Sequence, residues 1–236
     1  MRDRRAPILD LSALGSDVPL GEAVFRVLRQ ALQDGIYRPG DRLREEEIAR
    51  ELNVSRTPVR DAFSRLQGKR LIEPGGTKGL IVRALDMTEI HELYAMREIL
   101  EGAAAKLAAQ HASALEIEAL EDLAAAFEAH MEDATEMARL NRLLHNGIVR
   151  AARNRYLDKG LDELQDGIAL LGATTFSVAD RPSTAAKEHR GILRAIRERE
   201  PDRAEALTAA HIRQSLRARL KLLHGMSKTE RSGAPA

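Results

Sequence analysis

Seven histidines and no cysteine stand among the 236 residues, so the chemistry open to this chain is that of imidazole, carboxylate, amide and guanidinium groups. Thiolate metal sites and disulfides are excluded. Three histidines, His145, His189 and His211, fall at inward-facing positions of separate helical patterns. Asn141 precedes His145 by four residues, which puts both side chains on one helical face. Three imidazoles and an amide oxygen suit zinc first, or nickel or manganese, with open positions left for water. The same spacing also fits histidines that cap helices or hydrogen-bond inside a core, and spacing alone does not separate the two readings. His91, His111, His130 and His224 share no such pattern and read as surface residues.

A second constellation lies in "SRTPVR". Arg56 and Arg60 are four apart and share a helical face, and an arginine can donate two parallel hydrogen bonds to the major-groove edge of guanine. Ser55 and Thr57, with the amides at the start of that helix, suit phosphate oxygens. Lys78, in the "GGTKG" turn, suits phosphate or the minor groove. The competing readings are a solvated face on which the arginines pair with Asp61 or Glu51, and a lysine that merely occupies a turn. Further along, Arg97 and Arg181 are of the right type to clamp a carboxylate through paired hydrogen bonds. Glu101 shares a face with Arg97, as an ion-pair partner or a ligand contact. Asn154 stands where it would mark a helix end or line a pocket.

These residues need elements to hold them. Apolar positions Val24, Val27, Leu28, Ala31 and Leu32 predict one amphipathic helix. A short helix follows over about Glu45 to Leu52, then a tight connection at Asn53 and Val54. A helix over Thr57 to Gly68 comes next, with Ser55 as its side-chain cap and Pro58 in its first turn. "LIEP" and "GLIVRAL", joined by "GGTK", predict a small hairpin. Helix, turn, helix and hairpin in this order define a winged helix-turn-helix over residues 19–85. From Asp86 the chain turns Ala- and Leu-rich, with helices expected over Thr88 to His111, Ser113 to Asp133, Thr135 to Arg153, Arg155 to Ala173, Ser183 to Arg199 and Pro201 to His224. Six such helices predict an all-α antiparallel bundle over 86–225. Residues 1–18 and 226–236 read as flexible tails, and the fold class is mainly α.

Net charge is +1, unevenly placed: residues 1–85 carry +4 and the remainder −3, so the basic half is the one with the helix-turn-helix. No apolar run is long enough to span a membrane, and the N-terminus lacks the apolar stretch of a signal peptide. The expected location is therefore the cytoplasm, without membrane contact.

The segment "GDRLREEEIARELNVSRTPVRDAFSRLQGKRLIE" resembles the signature of GntR-family regulators. "MREILEGAAAKLAA", "NRLLH", "KEHRGILRAI" and "ALTAAHI" resemble, in order and spacing, the FadR-type or FCD effector domain, so the resemblance covers about residues 19–224. It implies a homodimer on a pseudo-palindromic double-stranded DNA operator, acting as a repressor, whose affinity is set by a small organic acid. It also implies a metal held by an Asp or Asn, a His four residues on, and two further His, which here are Asn141, His145, His189 and His211. Two positions depart from the family. Asn141 stands where Asp is typical, which weakens the oxygen ligand and leaves the site with one more positive charge. Glu46 stands where fatty-acid-responsive relatives carry an arginine, a role that neighbouring Arg44 would take over. The rival reading is a metal-dependent hydrolase or lyase built on the three histidines, with Glu101 as its general base.

Overall fold

The computed structural model describes residues 9–11, 17–76 and 79–232, the last seven as backbone only, and Lys78 lies outside the described residues. The chain forms two compact units. The first comprises residues up to Asp86 together with Gln165–Ala173, and the second comprises Met87–Leu164 and the residues from Thr174 onward.

In the first unit, α1 (Leu20–Gln33) buries Val24, Leu28, Ala31 and Leu32, the i, i+4, i+7, i+8 stripe of one helical face. It packs on α3 (Arg56–Gly68), whose Val59, Ala62, Phe63 and Leu66 form the facing stripe. Between them in sequence, α2 (Glu45–Glu51) ends in a turn at Asn53. The backbone there enters the left-handed region (φ 54°), which the short amide side chain of asparagine tolerates. The expected hairpin forms from β2 (Ile72–Pro74) and β3 (Leu80–Val82), with Ile72 opposite Val82 and Pro74 opposite Leu80. A third strand, β1 (Arg42–Leu43), pairs antiparallel with β3, giving the order β1-β3-β2. Two residues are too few for strand periodicity to be read, so β1 was not anticipated.

The second unit is the expected bundle: α4 (Met87–His111), α5 (Ala114–Ala129), α6 (Ala134–Ala151), most of α7 (Arg155–Ala169), α8 (Arg181–Arg197) and α9 (Pro201–Ser232). Its helix starts are chemically specified. Ser113 and Glu116 form a capping box ahead of α5, and Asp133 accepts from the amides of Thr135 and Glu136 ahead of α6. The main core is rich in alanine (Ala104, Ala105, Ala108, Ala195, Ala204), which lets helices approach closely around Leu120, Leu144, Ile192 and Ile196. A smaller cluster of Phe127, Met137, Leu140 and Phe176 lies beside it. Phe127 presents its ring at 5.1 Å to Phe176 and at 5.0 Å to His189, both edge-on.

Four boundaries differ from the sequence reading. Leu9 is buried in the first unit's core, so that part of the N-terminal segment is packed because its apolar side chain finds a partner surface; residues 1–8 and 12–16 lie outside the description. Residues 165–173 belong to the first unit, where Leu170 is buried in the core and Asp166 accepts from Arg29 at 2.5 Å and Lys69 at 3.1 Å. The fifth bundle helix begins at Arg181 rather than Ser183, because Asp180 (φ 62°) makes the turn and Pro182 fits a first helical turn. Finally, α9 continues to Ser232, seven residues into the segment read as a tail, since no proline interrupts it and a single Gly225 costs only about 1 kcal/mol.

Because Leu170 is only 4% exposed, Leu170→Ala is expected to cost roughly 2 to 5 kcal/mol of folding stability. Hydrogen exchange would locate the loss: the amides of α1 and α3 should lose protection, and protection lost only in α4 to α6 would contradict the assignment of this segment to the first unit.

Candidate nucleic-acid interface and histidine centre

The apolar stripe of α3 fixes which side of that helix faces out. Arg56, Thr57 and Arg60 lie on the exposed side, with 54% and 66% of the two arginine side chains accessible. Ser55 occupies the N-cap position with extended backbone, but its side chain does not cap the helix, contrary to the expectation from its type. The arginines are paired, though not with Asp61 or Glu51. Arg56 donates to Glu46 at 3.0 Å and Glu45 at 3.4 Å, and Arg60 donates to Glu45 at 3.1 Å through Nη2. The bond to Arg60 is the main reason the Glu45 carboxyl is held below its usual range. Arg44 is the N-cap residue of α2 and pairs with Glu47 at 2.8 Å. All these pairs are solvated, so a phosphate or a guanine edge can replace the carboxylates at small cost.

Four helices build the second site. Asn141 and His145 come from α6, His189 from α8 and His211 from α9, while α4 contributes Arg97 and Glu101 behind them. Each histidine is buried, and one ligand nitrogen from each lies within 4.8 Å of the others. His145 and His211 stack with ring centroids 5.1 Å apart, and His189 stands 4.9 Å from His211. His145 Nε2, both ring nitrogens of His189 and Asn141 Oδ1 are buried with no hydrogen-bond partner. Each such atom left bare costs on the order of 1 to 3 kcal/mol, and a divalent cation shared by one nitrogen of each imidazole and the amide oxygen would satisfy all of them except the second ring nitrogen of His189.

The atoms behind the ligands are consistent with that use. His145 Nδ1 donates to Glu101 at 2.5 Å and His211 Nδ1 donates to Glu188 at 2.7 Å. A carboxylate on Nδ1 fixes the tautomer that leaves Nε2 as a lone-pair donor. Glu101 is held in turn by Arg97 (2.8 Å), whose guanidinium lies 4.9 Å from the ring of Tyr94. Burial alone would raise the Glu101 carboxyl, but the neighbouring Arg97 and His145 outweigh it and keep it ionised well below its usual value. A carboxylate locked between two donors on the far side of a histidine is not placed as a general base, which removes the hydrolase reading's only candidate.

Glu188, buried enough that its carboxyl is pushed up against the opposing pull of Arg181, was not picked out from the sequence. The signal was its position directly before His189, on the face of α8 that turns toward α9. Arg181 is a buried first-turn residue rather than a solvated loop residue. It donates to Glu188 at 2.7 Å and to Ser215 Oγ at 2.8 Å. It also lines a cavity of about 110 Å³ with Gln214, Arg217 and Lys221. Asn154 is not brought to this site. Its Oδ1 accepts from the amides of Tyr156 and Leu157 at 3.1 Å and caps α7, the helix-end alternative. His91, His111, His130 and His224 are exposed, as expected.

Burial, followed by the charges of the other histidines and Arg181, lowers the pKa of both His189 and His211 well below the usual imidazole value. The unfolded chain therefore binds more protons than the folded one below about pH 6.5. Metal-free protein should keep its full stability above that pH and lose it as pH falls further. Urea midpoints in chelator at pH 8 and pH 5.5 would measure the loss, which should shrink in a His189→Gln/His211→Gln variant. An equal loss in that variant would assign the pH dependence to other groups.

Comparison with known proteins matches both units. Residues 20–82 match the model of bacterial regulatory proteins of the gntR family, and residues 92–214 match that of the FCD domain. The chain is 31% identical to the Nta operon transcriptional regulator of Aminobacter aminovorans over 190 residues, covering 80% of this chain and 89% of that one. It is 34% identical to the probable D-xylose utilization operon transcriptional repressor of Paenarthrobacter nicotinovorans, over 73% of this chain and 76% of that one. Its fold is similar to the solved structure of E. coli McbR/YncC, with a TM-score of 0.78 at 21% identity over 87% of this chain and 99% of that one. Among the described residues no helix is long and apolar enough to cross a membrane. Family and relatives are transcription regulators and not enzymes: this chain belongs to the GntR family of DNA-binding transcriptional regulators, in the class that carries an FCD domain.

Proposed function

We propose that the protein is a cytoplasmic repressor. Its homodimer reads a pseudo-palindromic operator, and its operator affinity is set by a small carboxylate metabolite bound at a divalent metal, zinc first, in the FCD domain. The observation that carries this reading is the buried trio of imidazoles with ligand nitrogens within 4.8 Å, two of them oriented through Nδ1 by carboxylates. Imidazole ligation suits zinc or nickel, and manganese less, because manganese prefers oxygen donors. With Asn141 in place of a carboxylate the ligand set carries no charge. The site then keeps the full charge of a divalent ion, which favours an anionic effector over a neutral one. Arg181 adds positive charge 3.4 Å from His211 Nδ1, and it shares a cavity of about 110 Å³ with Arg217 and Lys221. Arg97, engaged with Glu101, acts here by orienting His145, and any contact it makes with the effector is additional.

On the DNA side, Arg56 and Arg60 read base edges once released from Glu45 and Glu46, and Ser55 and Thr57 position phosphates. The effector changes DNA affinity by as much as it distinguishes the two arrangements of the dimer, and no more. Repression follows the relative named as a repressor, with ligand binding releasing the operator.

Replacing Arg60 by Ala should weaken specific operator binding by roughly 1 to 3 kcal/mol while binding to scrambled DNA changes much less. A gel shift in which the variant discriminates as well as the parent would remove Arg60 from base readout. Zinc retained after dialysis should be lost in His189→Ala, and Glu188→Gln should bind zinc about 10- to 100-fold more weakly. Competition with a chromogenic chelator measures both, and unchanged zinc affinity in His189→Ala would place the metal elsewhere. Native mass spectrometry of purified protein would show whether an organic acid travels with the ion.

A further inference from the structure

The first turn of α8 and the second half of α9 enclose the cavity of about 110 Å³ that Arg181 lines. Its polar lining comes as two stripes. Arg181 and Thr184 are three apart on α8, and Gln214, Arg217 and Lys221 follow one another on α9 at steps of three and four, so each set shares one helical face. A valine and two alanines make up the rest. The lining is one-sided in charge: three cations, a hydroxyl and an amide, with no carboxylate among them. Elsewhere on the bundle exposed arginines are commonly paired, as Arg190, Arg197, Arg203 and Arg213 are. Arg217 and Lys221 are exposed and have no carboxylate partner among the described residues. Arg181 is the buried member, only 5% exposed. Its two terminal nitrogens are held by Glu188 and Ser215, but its Nε is buried with no hydrogen-bond partner. A buried donor left in that state is costly, and an acceptor in the cavity would relieve it. The start of a 17-residue helix adds the positive end of its dipole.

We propose that this cavity binds a phosphate group, at a site separate from the histidine centre. A water molecule takes up roughly 30 Å³, so the space suits one small oxyanion, and any larger remainder of a ligand would extend into solvent past Arg217 and Lys221. The arrangement of donors selects among anions. A planar carboxylate is satisfied by a single guanidinium fork. A phosphate group carries up to two charges and three free oxygens pointing in different directions, so it can take donors from α8 and α9 at once. The site needs no metal, and it stands whether or not the three imidazoles hold one. Arg181 takes part in both places, since it also holds the Glu188 that orients His211.

Isothermal titration of inorganic phosphate into the full-length chain, stripped of metal by a chelator, should show one site per chain with a dissociation constant of roughly 1 mM or tighter. Arg217→Glu/Lys221→Glu, which breaks no ion pair within the chain, should weaken that binding at least tenfold, with circular dichroism melts confirming that the variant folds. Lys187→Glu/Arg194→Glu makes the same change of net charge on residues outside the cavity and should leave the binding as in the parent. Acetate should bind at least tenfold more weakly than phosphate. Glucose 6-phosphate, set against glucose, distinguishes the sources of the group: equal affinity for the ester and for free phosphate assigns the site to the free ion, and a tighter ester assigns it to a phosphorylated metabolite. Absence of phosphate binding, binding that both double variants weaken alike or neither weakens, binding that requires zinc, or acetate bound as tightly as phosphate would each overturn the proposal.

Discussion

Three imidazole rings buried within 4.8 Å of one another are the constraint around which the second unit is organised. Rings so placed cannot all be protonated, since burial and mutual repulsion push His189 and His211 toward the neutral form. Neutral rings still carry one donor and one acceptor each, and in a dry interior both must be answered. Glu101 and Glu188 answer the donors of His145 and His211. Each carboxylate is then balanced by an arginine, Arg97 on one side and Arg181 on the other. The result is two chains of alternating charge, each running from a histidine through a glutamate to an arginine. Between them lies a set of lone pairs that the protein itself leaves without a partner.

This arrangement determines what the packing around it can be. The centre draws on α4, α6, α8 and α9, so those helices must hold their relative positions to a fraction of an ångström for the ring nitrogens to converge. The alanine-rich core supplies that rigidity, because short side chains leave few rotamers and close helix spacing. Phe127 braces His189 edge-on from the other side. The first unit solves a different problem. Its recognition helix must keep an apolar stripe in the core and two arginines in solvent. Glu45 and Glu46 hold those arginines in extended positions through exposed pairs, which are weak enough to be exchanged for DNA.

The helix-turn-helix, the hairpin and the six helices were legible in the sequence because each rests on local signals: a 3.6-residue apolar period, a tight connection at Asn53 and Val54, a proline in the first turn of α3, and a glycine-rich turn between two short apolar runs. The histidine set was legible as positions, since Asn141 and His145 share a face by spacing alone. What those positions do was not, because the partners that orient the rings come from other helices. Glu101 is 44 residues from His145, and Glu188 is 23 from His211. Asn154 shows the converse: a residue type that fits both a pocket wall and a helix cap, resolved only when its oxygen was found on the amides of α7.

The sequence by itself determined the order of elements, the two-unit plan, the outward arginines of α3 and the absence of thiolate chemistry, since these depend on residue type and on neighbours a few positions away. The tertiary structure alone decided that Arg181 is buried, that Arg56 and Arg60 face Glu45 and Glu46, and that residues 165–173 complete the first unit. It alone brought a carboxylate to Nδ1 of His145 and of His211. These are contacts between distant segments, set by how helices pack against one another, and no local pattern encodes them.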